Sequence, residues 1–210
     1  MSLRPRAVSV FATAFLLLSA ISSFAQGPAA RPNRERTLAL RPPTGAKVAI
    51  IVFEDLQCPD CARAAPLLKQ AGEQHKVPVV HRDFPLPMHN FAFEAAVIAR
   101  YFDTKSPKLG EGWRDYVFQN QQTLTPGNIQ QMAAKYAKAN GSAMPFLMDP
   151  GKKLEAKVRA DVALGKKIGI QHTPTIFVVN NSTKMAEPFV EVVDRAQLSQ
   201  IIQQMKSSAK

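Results

Sequence analysis

Cysteine is scarce in this sequence, two residues in 210, against 27 lysines and arginines. Two cysteines cannot staple a small disulfide scaffold, and they supply only half the ligands of a structural zinc site. Completing such a site would draw on two of His75, His81, His89 and His172, and none of these stands at a zinc-finger spacing. Acidic residues are also few, 16, which leaves a formal charge of +11. That excess raises nucleic acid and anionic membranes as partners. Yet no run of five or six basic residues occurs, and no docking motif accompanies the charge. A basic, solvated surface without nucleic acid is the resulting expectation. Internal repeats and low-complexity tracts are absent too. A chain of this length with 46% hydrophobic residues can bury one core and carry an inserted subdomain.

Long apolar runs are missing everywhere except at the start. MSLRPRAVSVFATAFLLLSAISSFAQ sets Arg4 and Arg6 before an apolar run from Ala7 to Leu18, then reaches Ser23-Phe24-Ala25. The small-x-small ending is that of a secretory signal peptide, residues 1–25, cut after Ala25. Ser9, Thr13 and Ser19 interrupt the run and leave it short for an anchor helix. Loss of Arg4 and Arg6 lowers the charge from +11 to +9. The mature chain is expected in the periplasm or another extracytoplasmic space, where disulfide chemistry is permitted.

Residues 26–45 hold four prolines and little periodicity, and predict an extended lead-in. Lys47 to Phe53 is the continuous apolar run of a strand buried on both faces. A helix is predicted from Cys58 to His75 and a strand from Val77 to Phe84, with a break at Pro85-Leu86-Pro87. Helical spacing then recurs over Asn90–Phe102, Leu109–Gln121, Thr125–Asn140 and Asp149–Leu164, with Thr125-Pro126 as an expected helix start. Two strands, Thr175–Asn180 and Glu187–Val193, precede a last helix, Arg195–Met205, capped by Asp194. Strand, helix, strand, helical block, strand, strand, helix describes an α/β core with a helical insertion. Phe91, Phe93, Tyr101, Phe102, Trp113, Tyr116 and Phe118 are candidates for the core of that insertion.

The two cysteines stand in FEDLQCPDCARAAPLLKQ. A disulfide closing so short a loop would restrain the unfolded chain little, so stabilisation does not explain it. A redox pair does. Pro59 suits the first helical position, which puts Cys58 at a helix N-terminus, before unpaired N–H groups and the positive end of the dipole. Such a place lowers a thiol from about 8.5 to roughly 3.5–7.5. Cys61 follows nearly one turn later, within reach of Cys58. Cys58 is then the attacking thiol and Cys61 the buried resolving one. Asp60 between them helps the helix but repels a thiolate, unless it is screened by solvent.

Four stretches, in order, resemble the DsbA-like branch of the thioredoxin superfamily, thiol:disulfide oxidoreductases of the bacterial cell envelope. They are FEDLQCPDC; Pro66, eight residues after Cys58; HRDFPLPMHNFAFEAA; and HTPTIFVVN. The resemblance implies a thioredoxin-like domain over 46–84 and 166–210, with a helical domain inserted at 85–165. It implies that the Thr173-Pro174 bond is cis, faces Cys58 and pairs with an extended substrate. No cofactor or metal is implied. Thiol- or disulfide-containing proteins are the implied substrates, with a separate redox partner for recycling. Residues 26–45 are too short for the added dimerisation domain of isomerases, so a monomeric oxidase is expected. Two positions depart from the family. Val52 stands where relatives often carry an acid, with Glu54 on the same side of the strand and Asp55 on the other. His172 stands where relatives often have glycine, either beside the thiolate or facing water. The rival readings are an envelope reductase or isomerase of the same fold, a peptide-binding or chaperone module with incidental cysteines, and a Cu(I) carrier.

Overall fold

Strand β1, Val48–Glu54, is buried along its whole length and forms the centre of the molecule. The computed structural model describes residues 34–182, 185 and 188–209. The expected signal peptide lies outside them. Beside β1 on one edge runs β2, Val79–Asp83, in parallel; on the other runs β3, Thr175–Asn180, antiparallel. β4, Phe189–Glu191, pairs antiparallel with β3, giving the order β2-β1-β3-β4. A parallel β1–β2 pair needs a crossover, which α2, Pro59–His75, supplies.

The alternation of β1 divides the core. Val48, Ile50 and Val52 meet Ala64 and Leu68 of α2, together with Leu198, Ile202 and Met205 near the C-terminus. Ala49, Ile51 and Phe53 meet Leu40, Phe84, Ile168 and Phe177 on the other face. Between β2 and β3 stand α3, Ala92–Lys105; α4, Pro107–Asn120; α5, Ile129–Ala139; and α6, Lys153–Lys167. They enclose their own core, in which Phe102 lies 5.6 Å from Trp113 and 5.1 Å from Tyr136, ring to ring. All seven aromatic residues read as insertion core lie in it or against it. A 3-10 turn, Arg195–Gln197, leads into α7, Leu198–Ser208, with the Asp194 carboxylate accepting from the Ala196 N–H.

Four elements differ from the sequence expectation, and one is α6, which starts at Lys153 rather than Asp149, the Asp149 carboxylate instead accepting from the Leu154 and Glu155 N–H groups. Within the lead-in expected to be extended, Arg34–Ala39 form a short helix, α1. No proline falls in RERTLA, and tertiary contacts hold it: Leu40 is fully buried and Arg36 Nε donates to Ile168 O at 2.8 Å. α5 starts four residues after Thr125. Asn128 Oδ1 accepts from the Thr125 N–H and Asn128 Nδ2 donates to Thr123 O, which closes residues 125–128 as a turn instead. β4 is shorter than the strand expected from Glu187 to Val193.

Where α6 crosses the sheet, Gly165 allows close approach. A Cβ there would stand 2.5 Å from Phe84 and 3.3 Å from Phe53, both buried rings. Gly165→Ala would gain about 1 kcal/mol of helix propensity. Overpacking costs about 1–3 kcal/mol, and a buried ring between sheet and helix has little room to yield, so packing wins. The variant is expected to melt several degrees below the parent by calorimetry; an unchanged or raised Tm would contradict the close contact.

Candidate active site

Cys58 is the N-cap of α2, with Pro59 next at the helix start. The loop before it is built by Asp55, which is buried. Its Oδ1 accepts from the Gln57 N–H at 2.7 Å; its Oδ2 accepts from the Leu86 N–H at 2.6 Å and meets His89 Nδ1 at 2.8 Å. The helical insertion holds the same loop. Gln121 Nε2 donates to the carbonyls of Leu56 and Cys58 at 2.9 and 3.1 Å, and Gln57 Oε1 accepts from the Phe91 N–H at 2.9 Å. The carboxylate that short-range spacing left unassigned is therefore a loop organiser.

From the other side comes the segment leading into β3. The register Phe53↔Thr175 sets Thr173 and Pro174 beside the chain that leaves β1 towards Cys58. The Thr173-Pro174 bond is cis, and Cys58 Sγ–H donates to Thr173 O at 3.4 Å. The Thr173 hydroxyl is buried and has no hydrogen-bond partner of ordinary geometry. His172 is exposed, with Nδ1 3.4 Å from Thr175 Oγ1.

The two thiols, both free, sit in opposite environments. Cys58 falls from an ordinary 9.0 to about 5. The hydrogen bond from the Cys61 thiol does most, and it outweighs the burial that opposes it. The N–H groups of Cys61 and Asp60 and the Thr173 hydroxyl add to it, although no full capping bond reaches the sulfur. Cys61, 2% exposed, is pushed far up, first by burial and then by Cys58. The Asp55 N–H donates to its sulfur at 3.4 Å and opposes that rise. One thiol is set to ionise and the other to hold its proton.

Two features were not visible in the spacing. Asp60 neither faces solvent alone nor repels the thiolate unopposed: Arg195 grips both its oxygens and Arg63 Nη2 lies 3.1 Å from Oδ1. Glu54 does lie on the side of β1 that faces Cys61, and it anchors a buried charge cluster. Its Oε1 meets His81 Nδ1 at 2.7 Å and Arg114 Nε at 3.4 Å. His81 Nε2 meets Glu111 at 3.1 Å. Burial alone would lower the His81 ring, but Glu54 and Glu111 overcome it and raise it to about 9. His81 is thus a half-buried cation. Among the described residues no group of three or more His, Cys, Asp or Glu side chains is arranged to hold a metal ion.

The family model described as Thioredoxin matches residues 43–204. No curated protein matches the chain. Solved structures do. The catalytic domain of Proteus mirabilis ScsC superposes with a TM-score of 0.65 at 19% identity, over 84% of this chain and 97% of that one. The thiol-disulfide exchange protein alpha-DsbA2 from Wolbachia pipientis gives 0.63 at 17% identity, over 85% and 100%. A periplasmic thioredoxin-like protein from Salmonella enterica serovar Typhimurium gives 0.62 at 18% identity, over 80% and 91%. The α/β thioredoxin-like fold with an inserted helical block, read from the sequence, is the fold they share with it.

Proposed function

The chain belongs to the thioredoxin family, and from that premise we propose that it is an extracytoplasmic thiol:disulfide oxidoreductase that forms disulfides in secreted proteins. In this reading residues 46–84 and 166–210 carry the redox pair and residues 85–165 are the insert. The observation that carries it is the contrast between Cys58, held near pKa 5, and Cys61, buried three residues on and kept protonated.

A substrate thiolate attacks Sγ of Cys58 in the Cys58–Cys61 disulfide. The Sγ–Sγ bond breaks, and Cys61 leaves with the electron pair and takes up a proton, as its buried site demands. A second substrate thiolate attacks the substrate sulfur of the mixed disulfide, and Cys58 leaves as a thiolate. Two electrons have passed from two substrate thiols to the pair. A redox partner then accepts them by thiol exchange. The backbone of Thr173, beside Sγ, is the edge on which an extended substrate would pair. Periplasmic location and a monomeric state belong to the same proposal. Among the described residues no helix is long and apolar enough to cross a membrane. Reduction or isomerisation would use the same atoms in reverse.

The test is the redox equilibrium of the mature protein against a glutathione series. A low-pKa leaving thiol stabilises the dithiol, so a potential towards DsbA's roughly −120 mV is expected. A value towards thioredoxin's roughly −270 mV would overturn the oxidase reading in favour of a reductase. Absence of any exchange would overturn the enzyme reading altogether and leave a peptide-binding module.

A further inference from the structure

We propose that Arg195, 135 residues away in the chain, is a positioning residue that sets the redox poise of the cysteine pair by clamping Asp60. This inference rests on the redox reading above and adds a residue that lies outside both the C-x-x-C motif and the proline loop.

Asp60 falls between the cysteines in the first turn of α2. A carboxylate there favours the helix but opposes a negative sulfur one residue from its neighbour. The structure answers that charge from a different part of the fold. Arg195 Nη1 donates to Asp60 Oδ1 at 3.0 Å and Nη2 donates to Oδ2, a two-pronged clamp. The arginine is itself held in place, because it opens the 3-10 turn that the Asp194 carboxylate caps at 2.9 Å. Its side chain is 29% exposed, against 69% for Arg63, the second cation on Asp60. Solvent therefore screens Arg63 more strongly, and Arg195 is the partner that counts. Both cysteines lie within the field of its guanidinium. The other charged groups near the pair are Glu54, which acts on Cys61, and Asp55, whose N–H donates to the Cys61 sulfur and whose carboxylate meets His89.

The consequence follows from which redox form carries charge. The disulfide is neutral; the dithiol carries the Cys58 thiolate. Without Arg195 the Asp60 charge acts on that thiolate and disfavours the dithiol. With the clamp the charge is cancelled, and the pair is a better electron acceptor. An acidic residue in the motif, whose charge opposes the thiolate, is thereby tolerated.

Four proteins test this: the parent, Arg195→Gln, Asp60→Asn and the double variant, at low ionic strength. The first readout is the pH midpoint of Cys58 alkylation, and the second is the equilibrium constant for reduction of the pair by glutathione. Arg195→Gln is expected to raise the midpoint and lower that constant about tenfold, equal to about 30 mV for two electrons. Asp60→Asn is expected to move both the other way. In the Asp60→Asn background, Arg195→Gln is expected to have less than half its effect. An unchanged midpoint, or the same shift in both backgrounds, overturns the clamp, since Arg195 would then act as packing or as a free charge. If Arg195→Gln does not fold, Arg195→Lys replaces it: the charge stays but the two-pronged grip on Asp60 is lost, so the midpoint is expected to rise by less, and an unchanged midpoint overturns the proposal. The alkylation midpoint needs no redox partner. Failure of glutathione exchange in the parent would therefore sink the enzyme reading while this test still ran.

Discussion

Alanine at Cys58 is expected to abolish exchange with glutathione while the protein stays folded, and the parent is expected to alkylate at Cys58 with a midpoint near pH 5. The midpoint follows from the environment of the sulfur. What it does for rate needs two opposing magnitudes. At pH 7 an ordinary thiol of 9.0 is about 1% ionised and Cys58 almost wholly so, about a hundredfold gain in thiolate. Nucleophilicity falls with basicity at a Brønsted slope of about 0.4–0.5, which over about four units removes most of that gain. At neutral pH Cys58 should therefore attack about as fast as a free thiol. At pH 5, where a free thiol is almost entirely protonated, it should attack on the order of a hundredfold faster. The larger benefit lies in departure: a thiol of low pKa leaves a mixed disulfide readily. That asymmetry suits a protein that gives its disulfide away. Alkylation rates from pH 4 to 8 read it directly, as a plateau above about pH 6. Cys61→Ala removes the strongest support of the thiolate, so its curve should move to higher pH. A parent midpoint near 8.5, the value of a free cysteine, would sink this account of the site.

The parts of this site that were legible in the sequence are those set by neighbours in the chain. A strand running into C-P-x-C fixes a helix start, and a helix start fixes which cysteine meets the N–H groups. Alternation along β1 placed Glu54 and Asp55 on opposite sides. What stayed hidden was held by contacts between distant segments. Arg195 reaches Asp60 across 135 residues, and Gln121 reaches the Cys58 carbonyl across 63. Neither residue carries a local pattern that marks it. α1 was hidden for a related reason. Proline content dominates residues 26–45, but the six residues that form the helix contain none, and the burial of Leu40 decides the matter. His81 shows the same limit for charge: a lone histidine in a strand pattern gives no sign that two carboxylates will meet its ring.

Arg114→Met is the substitution expected to cost most in stability, about 3–5 kcal/mol at neutral pH. Arg114 is 2% exposed and joins the sheet to the insertion. It meets Asp103 of α3 with two nitrogens at 3.1 and 3.2 Å, Glu54 of β1 at 3.4 Å and Asp83 of β2 at 3.8 Å. Arg100 adds a second cation on Asp83 and reaches Asp161 of α6 at 2.7 Å. Methionine fills similar space but leaves Asp83 and Glu54 buried with less positive charge nearby, and that residue of unpaired charge is what costs. The pH dependence has a definite sign. Burial already raises the Asp83 carboxyl above its ordinary 3.8, against the pull of Arg114 and Arg100. An acid raised in the fold favours the folded state at low pH and penalises it as pH rises through the folded value. Loss of Arg114 raises Asp83 further, so the deficit relative to the parent should shrink as pH falls from 7 towards 4. Arg114→Lys keeps a charge but loses the fork on Asp103, and should lie between the two. Urea unfolding of the three proteins at pH 7 and pH 5 reads both effects. A deficit below about 1 kcal/mol, or one that grows on acidification, would mean that the cluster contributes nothing the apolar packing does not already supply.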